Sequence, residues 1–178
     1  MKIKLTLKPS DFLTFQLYSS SKSKLQQKNR NKSKYSVSII YVLLGFFLFL
    51  SGEQIFALIF LIIAILWYLF FPKYNKRRYK KYFEKHISEN YQERVNRTSI
   101  LDFDNTKHML IINEPGLEEK INFSEFKSLI EIPSHFFVKL KNGSTLIIPK
   151  QFISKPAVFK KMFSDLGVFY ENEIDWEW

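Results

Sequence analysis

The sequence predicts an α-helical transmembrane hairpin attached to a small α+β domain. Residues 36–71 form one intensely apolar block in which Glu53 is the only charged residue. Lysine and arginine are concentrated directly before and after this block. From about residue 98, apolar residues recur at every second position, which is typical of strands, and one amphipathic helix follows. These three observations define the fold class.

Length and composition limit what the chain can be. Its 178 residues suffice for one domain with appendages, and 46% hydrophobic residues exclude a chain that is disordered throughout. The formal net charge is +10. Because the chain contains no cysteine, disulfides, thiolate catalysis and cysteine-based zinc or iron–sulfur sites are excluded.

Residues 1–34 are predicted to be a cytoplasmic N-terminal segment. Ile3, Leu5 and Leu7 alternate with polar residues, so residues 3–7 are expected to form a strand that docks on the C-terminal domain. A short amphipathic leader is the alternative. A short helix is expected to follow, and then a basic segment that is either a solvated linker or a frayed helix into the membrane. No small-residue cleavage site marks a removable signal peptide.

The apolar block is too long for a single membrane span. As one helix, its 36 residues would extend about 54 Å, against a hydrocarbon core of ~30 Å. A Ser-Gly-Glu-Gln sequence at 51–54 interrupts the block with a flexible glycine and two polar side chains. We therefore expect a two-span hairpin over residues 35–71, with the spans at 35–50 and 55–71.

Small residues recur at seven-residue spacing within the two spans. Ser38 and Gly45 do so in the first span, and Ala57 and Ala64 in the second. This spacing places each pair on one helix face, where small side chains let two helix backbones approach closely. The four residues are therefore candidate helix-pair packing contacts. Chance recurrence in a block rich in Phe, Leu and Ile is the alternative.

The flanking charges predict the orientation of the hairpin. Residues 22–34 and 73–85 hold 13 of the 27 lysines and arginines, whereas the turn between the spans carries only Glu53. Because cytoplasmic flanks carry the excess of positive charge, both termini are expected in the cytoplasm. Residues 86–178 hold 11 bases and 14 acids, so no nucleic-acid partner is expected.

A basic amphipathic helix is predicted to connect the hairpin to the domain over residues 72–97. Its apolar residues recur at four-residue steps, and its bases lie mostly in the first half. Candidate contacts to anionic lipid headgroups are Arg77, Arg78, Lys80 and Lys81. The same charges are expected anyway as orientation signals, and this alternative is favoured.

Residues 98–167 are predicted to form the α+β domain. The strand-like segments lie at 99–103, 108–112, 120–123, 135–141 and 144–148. Between the last two, Asn142-Gly143 is the pair that favours a type I′ turn. An amphipathic helix is expected over 156–166. We therefore expect an antiparallel sheet, or a half-open barrel, that is closed by this C-terminal helix.

The order of these elements and two short sequences resemble a known family. The sequences are Ser-Asp-Phe-Leu-Thr-Phe at 10–15 and Leu-Ile-Ile-Pro-Lys-Gln-Phe at 146–152. Together with the paired spans, they make the chain similar to the YcxB-like bacterial membrane proteins. The resemblance implies two transmembrane helices followed by a pleckstrin-homology-like (PH-like) domain. It also implies a multi-pass protein of the bacterial inner (plasma) membrane, and it carries no catalytic residue over to this chain.

No catalytic, cofactor-binding or metal-binding residue is predicted. His86, His108 and His135 contain no pair at metal-ligand spacing. Asp102 and Asp104 are expected to lie at a solvated strand end rather than at a metal. The five glycines form no phosphate-binding loop, so an enzyme is not expected.

The C-terminal tail, residues 168–178, alternates acidic residues with large apolar ones. Ile174, Trp176 and Trp178 are candidate partner-binding residues, because exposed tryptophans are costly to leave in water. The tail could add a strand to a partner's sheet, fold back on its own domain, or form a frayed acidic end. These three alternatives stay open at this point.

The combined patterns predict a non-enzymatic membrane protein without a cofactor. Its cytoplasmic PH-like domain is expected to bind a protein partner or lipid headgroups, and a homo-oligomer is compatible with the same patterns. The alternative is an accessory or immunity-type membrane subunit that acts through the transmembrane hairpin. The lipid bilayer is a partner in both cases.

Overall fold

The computed structural model describes residues 1–178 and divides the chain into two compact units. The sheet unit contains Met1–Phe15 and Glu84–Glu177, and the hairpin unit contains Gln16–Phe83 and Trp178. The elements in chain order are β1 (Lys2–Thr6), α1 (Pro9–Lys22), α2 (Lys24–Leu50), α3 (Gln54–Asn90), β2 (Thr98–Asp104), β3 (Met109–Glu114), β4 (Leu117–Asn122), β5 (Phe126–Glu131), β6 (His135–Leu140), β7 (Thr145–Pro149), α4 (Pro156–Asp165) and β8 (Phe169–Asn172).

Two four-stranded sheets make up the sheet unit. The first has the strand order β1-β2-β3-β4 and is antiparallel throughout. The second has the order β7-β6-β5-β8; its first three strands are antiparallel, and β8 joins β5 in parallel. Strand β1 lies at the edge of the first sheet, with Ile3 opposite Leu101. The N-terminal strand therefore belongs to the same sheet as the strands that begin at residue 98.

The inward faces of both sheets and the last helix share one hydrophobic core. Alternate residues of β1 are buried, with Ile3 and Leu5 each 3% exposed. Helix α4 contributes Phe159 and Phe163, whose rings both pack edge-on against Phe103 at 5.8 and 5.9 Å between centroids. The amphipathic helix expected near the end of the chain thus covers the sheets with its apolar face.

Strand β6 is buried on both faces. Phe136 and Val138 belong to the core, while Phe137, which points to the opposite face, is also fully buried. The ring of Phe15 in α1 packs edge-on against Phe137 at 5.3 Å between centroids. The first half of α1 therefore covers the outer face of the second sheet.

Helices α2 and α3 form the hairpin unit and are joined by a turn at residues 51–53. Gly52 supplies the positive φ of 85° in this turn. Both helices are long and apolar enough to cross a membrane by length and composition, with mean hydropathies of 1.8 and 2.7 in their most apolar windows. Their large apolar side chains are mostly exposed, whereas the small residues Gly45, Ala57 and Ala64 are buried.

Both long helices extend beyond the predicted spans. Of the two interpretations of the basic segment, the structure has the helix, which begins at Lys24 because Ser23 caps it by accepting a hydrogen bond from the Gln26 N–H. Helix α3 continues from the second span through Pro72 and ends before residue 97, so the expected connecting helix is the second half of one longer helix. Pro72 removes one backbone donor, but the lysine- and arginine-rich sequence that follows favours the helix.

The turn between β6 and β7 differs from the predicted type I′ turn. That turn needs a positive φ at both central residues, and only Gly143 has one, at 90°. The Gly143 N–H donates to the Leu140 carbonyl and the Leu140 N–H to the Ser144 carbonyl, which makes a three-residue loop. The physical reason is that the Asn142 side chain accepts the Ser144 N–H at 2.9 Å and stabilises the loop without a left-handed Asn142.

Two strands are not apparent in the sequence pattern. Strand β5 ends in four consecutive buried residues, so it lacks the alternation that marks a strand with one exposed face. Strand β8 lies at the start of the predicted acidic tail and is mostly exposed. The sheet unit consequently extends beyond the predicted domain limit at residue 167.

Candidate functional site

The small residues of the hairpin lie where its two helices approach each other. A Cβ atom built on Gly45 would lie 3.2 Å from the carbonyl oxygen of Ala57. Ala57 and Ala64 are each 4% exposed. Ser38 is half-buried, and its hydroxyl donates to the carbonyl of Lys34 in its own helix at 3.0 Å. Of the four predicted packing residues, Gly45 and Ala57 are thus brought into direct proximity.

Helices α2 and α3 enclose a cleft of about 480 Å³ beyond the apolar part of the hairpin, here called the basic cleft. Its walls are formed by Gln26, Asn29, Arg30 and Ser33 of α2 and by Phe71, Asn75, Arg78, Tyr79, Tyr82 and Phe83 of α3. In each helix these residues recur mostly at steps of three or four, so each set forms one helix face. The cleft is therefore a mixed wall of apolar, amide and guanidinium groups.

Arg30 packs beside a pair of aromatic rings that also contact each other. Its guanidinium carbon lies 5.0 Å from the ring centroid of Trp178 and 5.7 Å from that of Tyr79, and the two rings are 5.9 Å apart. The guanidinium nitrogen Nη1 and the indole nitrogen of Trp178 are both buried without a hydrogen-bond partner. Buried donors are normally paired, so these two donors are exceptions within the protein.

The predicted headgroup contacts differ in their relation to the basic cleft. Arg77, Arg78, Lys80 and Lys81 are all exposed, and Arg78 alone among them lines the basic cleft. Arg30 is not among the predicted site residues, because the sequence indicates it only as one of the orientation charges. Arg30 shares one helix face with Gln26, Asn29 and Ser33 only because α2 begins at Lys24, before the apolar span.

A buried carboxylate, Glu131, ties together several elements of the sheet unit. It is 5% exposed and lies 2.7 Å from the Lys150 amine and 3.1 Å from the Lys160 amine, and the Tyr170 hydroxyl donates to it. Burial raises the pKa of Glu131, but the hydrogen bonds from these three residues outweigh burial and lower the pKa to about 2. Burial and the contact with Glu131 raise the pKa of Tyr170 to about 12.

A second buried polar group joins the N-terminal segment to β6. The Nε2 atom of His135 lies 3.1 Å from Asp11 Oδ1, and its Nδ1 atom lies 2.7 Å from the Ser134 hydroxyl. The other carboxylate oxygen of Asp11 accepts the Lys8 N–H at 2.7 Å, which caps the start of α1. Burial lowers the pKa of His135, and the hydrogen bond to Asp11 opposes this shift.

This arrangement places a serine, a histidine and an aspartate in one hydrogen-bonded series. Asp11 and His135 are 6% and 5% exposed, so both are shielded from solvent. Because Asp11 also caps α1, the contact with His135 fixes the beginning of that helix against the second sheet. The contact between Asp11 and His135 therefore has a structural role at the start of α1.

The other acidic and histidine residues do not assemble into a metal centre. No group of three or more His, Asp or Glu side chains is arranged to hold a metal ion. Asp104 instead accepts hydrogen bonds from Thr106 and Lys107 within its own turn, and these bonds lower the pKa of Asp104.

The three candidate residues of the tail are placed in different environments. Ile174 is 44% exposed and follows β8 directly. Trp176 is half-buried, and its N–H donates to the Glu173 carbonyl in a turn. Trp178 packs on Tyr79 and belongs to the hairpin unit. Ile174 and Trp176 thus belong to the sheet unit, whereas Trp178 belongs to the hairpin unit.

Fold and site together define a protein with a two-helix apolar hairpin, a sheet-rich unit of two sheets and a basic cleft. Comparison with known protein families, with curated proteins and with solved structures finds no match to this chain. The resemblance to the YcxB-like family consequently stays a prediction from the sequence. The function has to be argued from the geometry of the chain itself.

Proposed function

We propose that this chain is a non-enzymatic, multi-pass protein of the bacterial inner membrane, anchored by its hairpin and acting as a binding module. The observation that carries the proposal is the reversed burial of the hairpin unit. Phe47 and Leu50 are 67% and 69% exposed, whereas Gly45 and Ala57 are buried. A contiguous surface of large apolar side chains is unfavourable in water and favourable in a lipid bilayer.

The basic end of the hairpin supports an orientation with both termini in the cytoplasm. Lysine and arginine flank both spans, and the turn between them carries Glu53 alone. Tyr35 and Tyr68 pack together at 6.1 Å between centroids, and the Lys34 amine lies 3.8 Å from the Tyr68 ring centroid. Aromatic rings with a neighbouring lysine are typical of the level at which a membrane meets water.

The sheet unit supplies the binding function in this proposal. A four-stranded antiparallel meander, a three-stranded one and then a covering helix support a PH-like fold. Strand β8 is an edge strand of the second sheet, and its Phe169 is 68% exposed. An edge strand with an exposed aromatic residue suits strand addition by another protein. For the sheet unit we therefore favour a protein partner over lipid headgroups.

Crosslinking of the full-length protein in intact membranes tests this assignment. The wild type should capture one protein in a constant ratio, and Phe169→Ser should reduce this capture by about fivefold or more. Leu117→Ser is the matched control, because Leu117 is also an exposed apolar residue, at 55%, but lies in β4 of the other sheet. Equal capture by the wild type and Phe169→Ser would contradict binding at the β8 edge.

An accessory or immunity-type subunit that acts through the hairpin is the second candidate function. The exposed phenylalanines of α2 offer a surface to another membrane helix. Because Gly45 and Ala57 are used within the hairpin, only outward residues can separate the two candidates. Phe47→Leu and Phe49→Leu keep the span apolar but change its outer surface. If these two variants abolish capture and Phe169→Ser does not, the partner binds to the hairpin.

A further inference from the structure

The basic cleft has the chemistry of an anion site. Arg30 and Arg78 line it from different helices, and neutral side chains such as Asn75 lie beside them. Arginine presents a planar fork of N–H donors that matches the oxygens of a phosphate. No acidic side chain is among the residues that line the cleft. The charge of the cleft therefore favours an anionic ligand.

An unpaired, buried donor of Arg30 is an independent indication of a ligand. Arg30 Nη1 and the indole nitrogen of Trp178 are buried and make no hydrogen bond within the protein. The rings of Tyr79 and Trp178 hold the guanidinium in place, so its donors are oriented before a ligand arrives. Arg30 lines the cleft, so a group with several acceptor oxygens bound there would satisfy its otherwise unpaired donor.

The position of the basic cleft along the hairpin indicates where such a ligand comes from. Phe71, the last residue of the apolar run, is 8% exposed and lines the cleft, and Arg78 follows two turns later on the same helix face. In a hairpin that spans a bilayer, this is the depth of the lipid phosphate groups. The volume of about 480 Å³ also leaves space for the substituent that a phosphate ester carries.

We propose that the basic cleft binds the phosphate group of an anionic phospholipid, with Arg30 and Arg78 as its ligands. The site rests on the proposed location of the hairpin in a membrane. It deepens that proposal by naming the lipid chemistry that the base of the hairpin recognises. The required group, a phosphate ester with free oxygens, also occurs in soluble metabolites, so the experiment has to separate the two sources.

Native mass spectrometry of the full-length protein tests the site. The protein is released from vesicles of phosphatidylcholine and phosphatidylglycerol, and we expect one phosphatidylglycerol to be retained per chain. Arg30→Gln and Arg78→Gln should each lower the retained fraction by about tenfold or more, because each removes charge-assisted hydrogen bonds to phosphate. Arg77→Gln, the matched control, removes the same charge from the exposed neighbour outside the cleft and should change retention by less than about twofold.

Full retention in the Arg30 and Arg78 variants, or an equal loss in Arg77→Gln, would overturn the proposal. Thermal unfolding of each variant shows whether the fold is kept, and Arg78→Gln remains decisive if Arg30→Gln unfolds, since Arg78 is exposed. In a second arm, glycerol 3-phosphate is added to lipid-free protein in detergent. Retention of this ester through Arg78, with no preference for the lipid, would assign the site to a soluble phosphate and overturn the lipid assignment.

Alkaline extraction of the membranes separates this proposal from the one on which it rests. Wild-type protein that stays in the membrane but retains no phosphatidylglycerol would contradict the phosphate site alone. Wild-type protein that is released into the supernatant would contradict the membrane location, and the lipid site with it.

Discussion

At the scale of single residues, Glu131 illustrates how a carboxylate stays charged when it is buried. Removal from water disfavours the anion, yet two lysine amines and one tyrosine hydroxyl donate to it. These donors come from the segment after β7, from α4 and from β8, so the carboxylate connects three parts of the sheet unit. Replacing the Glu131 carboxylate should therefore lower the stability of the whole sheet unit.

Glu131→Gln should lower the free energy of unfolding by about 2 kcal/mol, because two partly buried lysines lose their counter-charge. Thermal and urea unfolding of the full-length protein in detergent measure this effect. Glu125→Gln is the matched control, since Glu125 is exposed and its replacement should change stability by less than ~0.5 kcal/mol. Equal stability of both variants would show that the cluster contributes nothing.

Acid should destabilise the sheet unit in two ranges of pH. The folded pKa of His135 lies below its usual 6.5, so the stability it contributes is present above that pH and is lost as the pH falls below it. The folded pKa of Glu131 is about 2 against a usual 4.5, so its contribution is lost as the pH falls from 4.5 towards 2. In both cases the unfolded chain binds the proton more tightly than the folded chain does, so acid favours unfolding.

His135→Gln should therefore flatten the dependence of the unfolding temperature on pH between about pH 7 and 5, while the loss at lower pH remains. Glu131→Gln should remove the loss of stability below pH 4.5 and leave the loss that depends on His135 unchanged. Unfolding temperatures measured across the pH series check both. A wild-type curve that is already flat near pH 6 would contradict the assigned role of His135.

Neither polar group could be predicted from the sequence. Asp11 and His135 are 124 positions apart, and Glu131 meets residues of three separate segments. Spacing patterns report which residues share a helix or strand face, but they carry no information on pairs that only the tertiary fold brings together. In the sequence, Asp11 is visible only as part of the motif at 10–15.

At the scale of the elements, the close approach of α2 and α3 depends on Gly45. Gly45→Leu should destabilise the hairpin by about 1–3 kcal/mol, because even a Cβ there would lie 3.2 Å from the Ala57 carbonyl oxygen. Thermal unfolding in detergent measures the loss. Val42→Leu adds apolar volume to an outward residue, 44% exposed, and should leave stability unchanged. If both variants behave alike, the small residues do not determine the packing.

The N-terminal strand should contribute to the stability of the sheet unit. Leu5 is 3% exposed in the core, so Leu5→Ala should cost about 2–5 kcal/mol. Lys4→Ala, at the adjacent exposed position of β1, should cost less than ~0.5 kcal/mol. Urea unfolding of the two variants checks this expectation. An equally small effect of both would mean that β1 does not dock as the register with β2 indicates.

Elements with a strong periodicity could be predicted, and their ends could not. The strands around residue 100 and the hairpin at 135–148 alternate clearly, and α4 has one apolar face. Strand β5 has no alternation because both of its faces are buried. Helix α2 begins in a polar segment whose composition leaves a linker and a helix equally open. The position of its first residue depends on capping by Ser23, which composition does not show.

At the scale of the whole molecule, the chain contains two units that bury opposite kinds of side chain. The sheet unit places most of its phenylalanines inside, as proteins do in water. The hairpin unit places most of its phenylalanines outside and keeps Gly45, Ala57 and Ala64 inside. The division of the chain into an apolar helical hairpin and a sheet-rich unit could be predicted, because apolar and charged residues are segregated along the sequence. The basic cleft could not, because it depends on two helix faces that meet only in the fold.

The central claim is that the hairpin spans a membrane with both termini on the cytoplasmic side. Because the chain has no cysteine, single cysteines report position without background. We would introduce Glu53→Cys in the turn, Lys28→Cys in α2 and Asn142→Cys in the β6–β7 loop, and treat intact cells with a membrane-impermeant maleimide. The account predicts that only Glu53→Cys is labelled until the membrane is opened, after which all three react. Labelling of Lys28→Cys or Asn142→Cys in intact cells, or protection of all three, would contradict it.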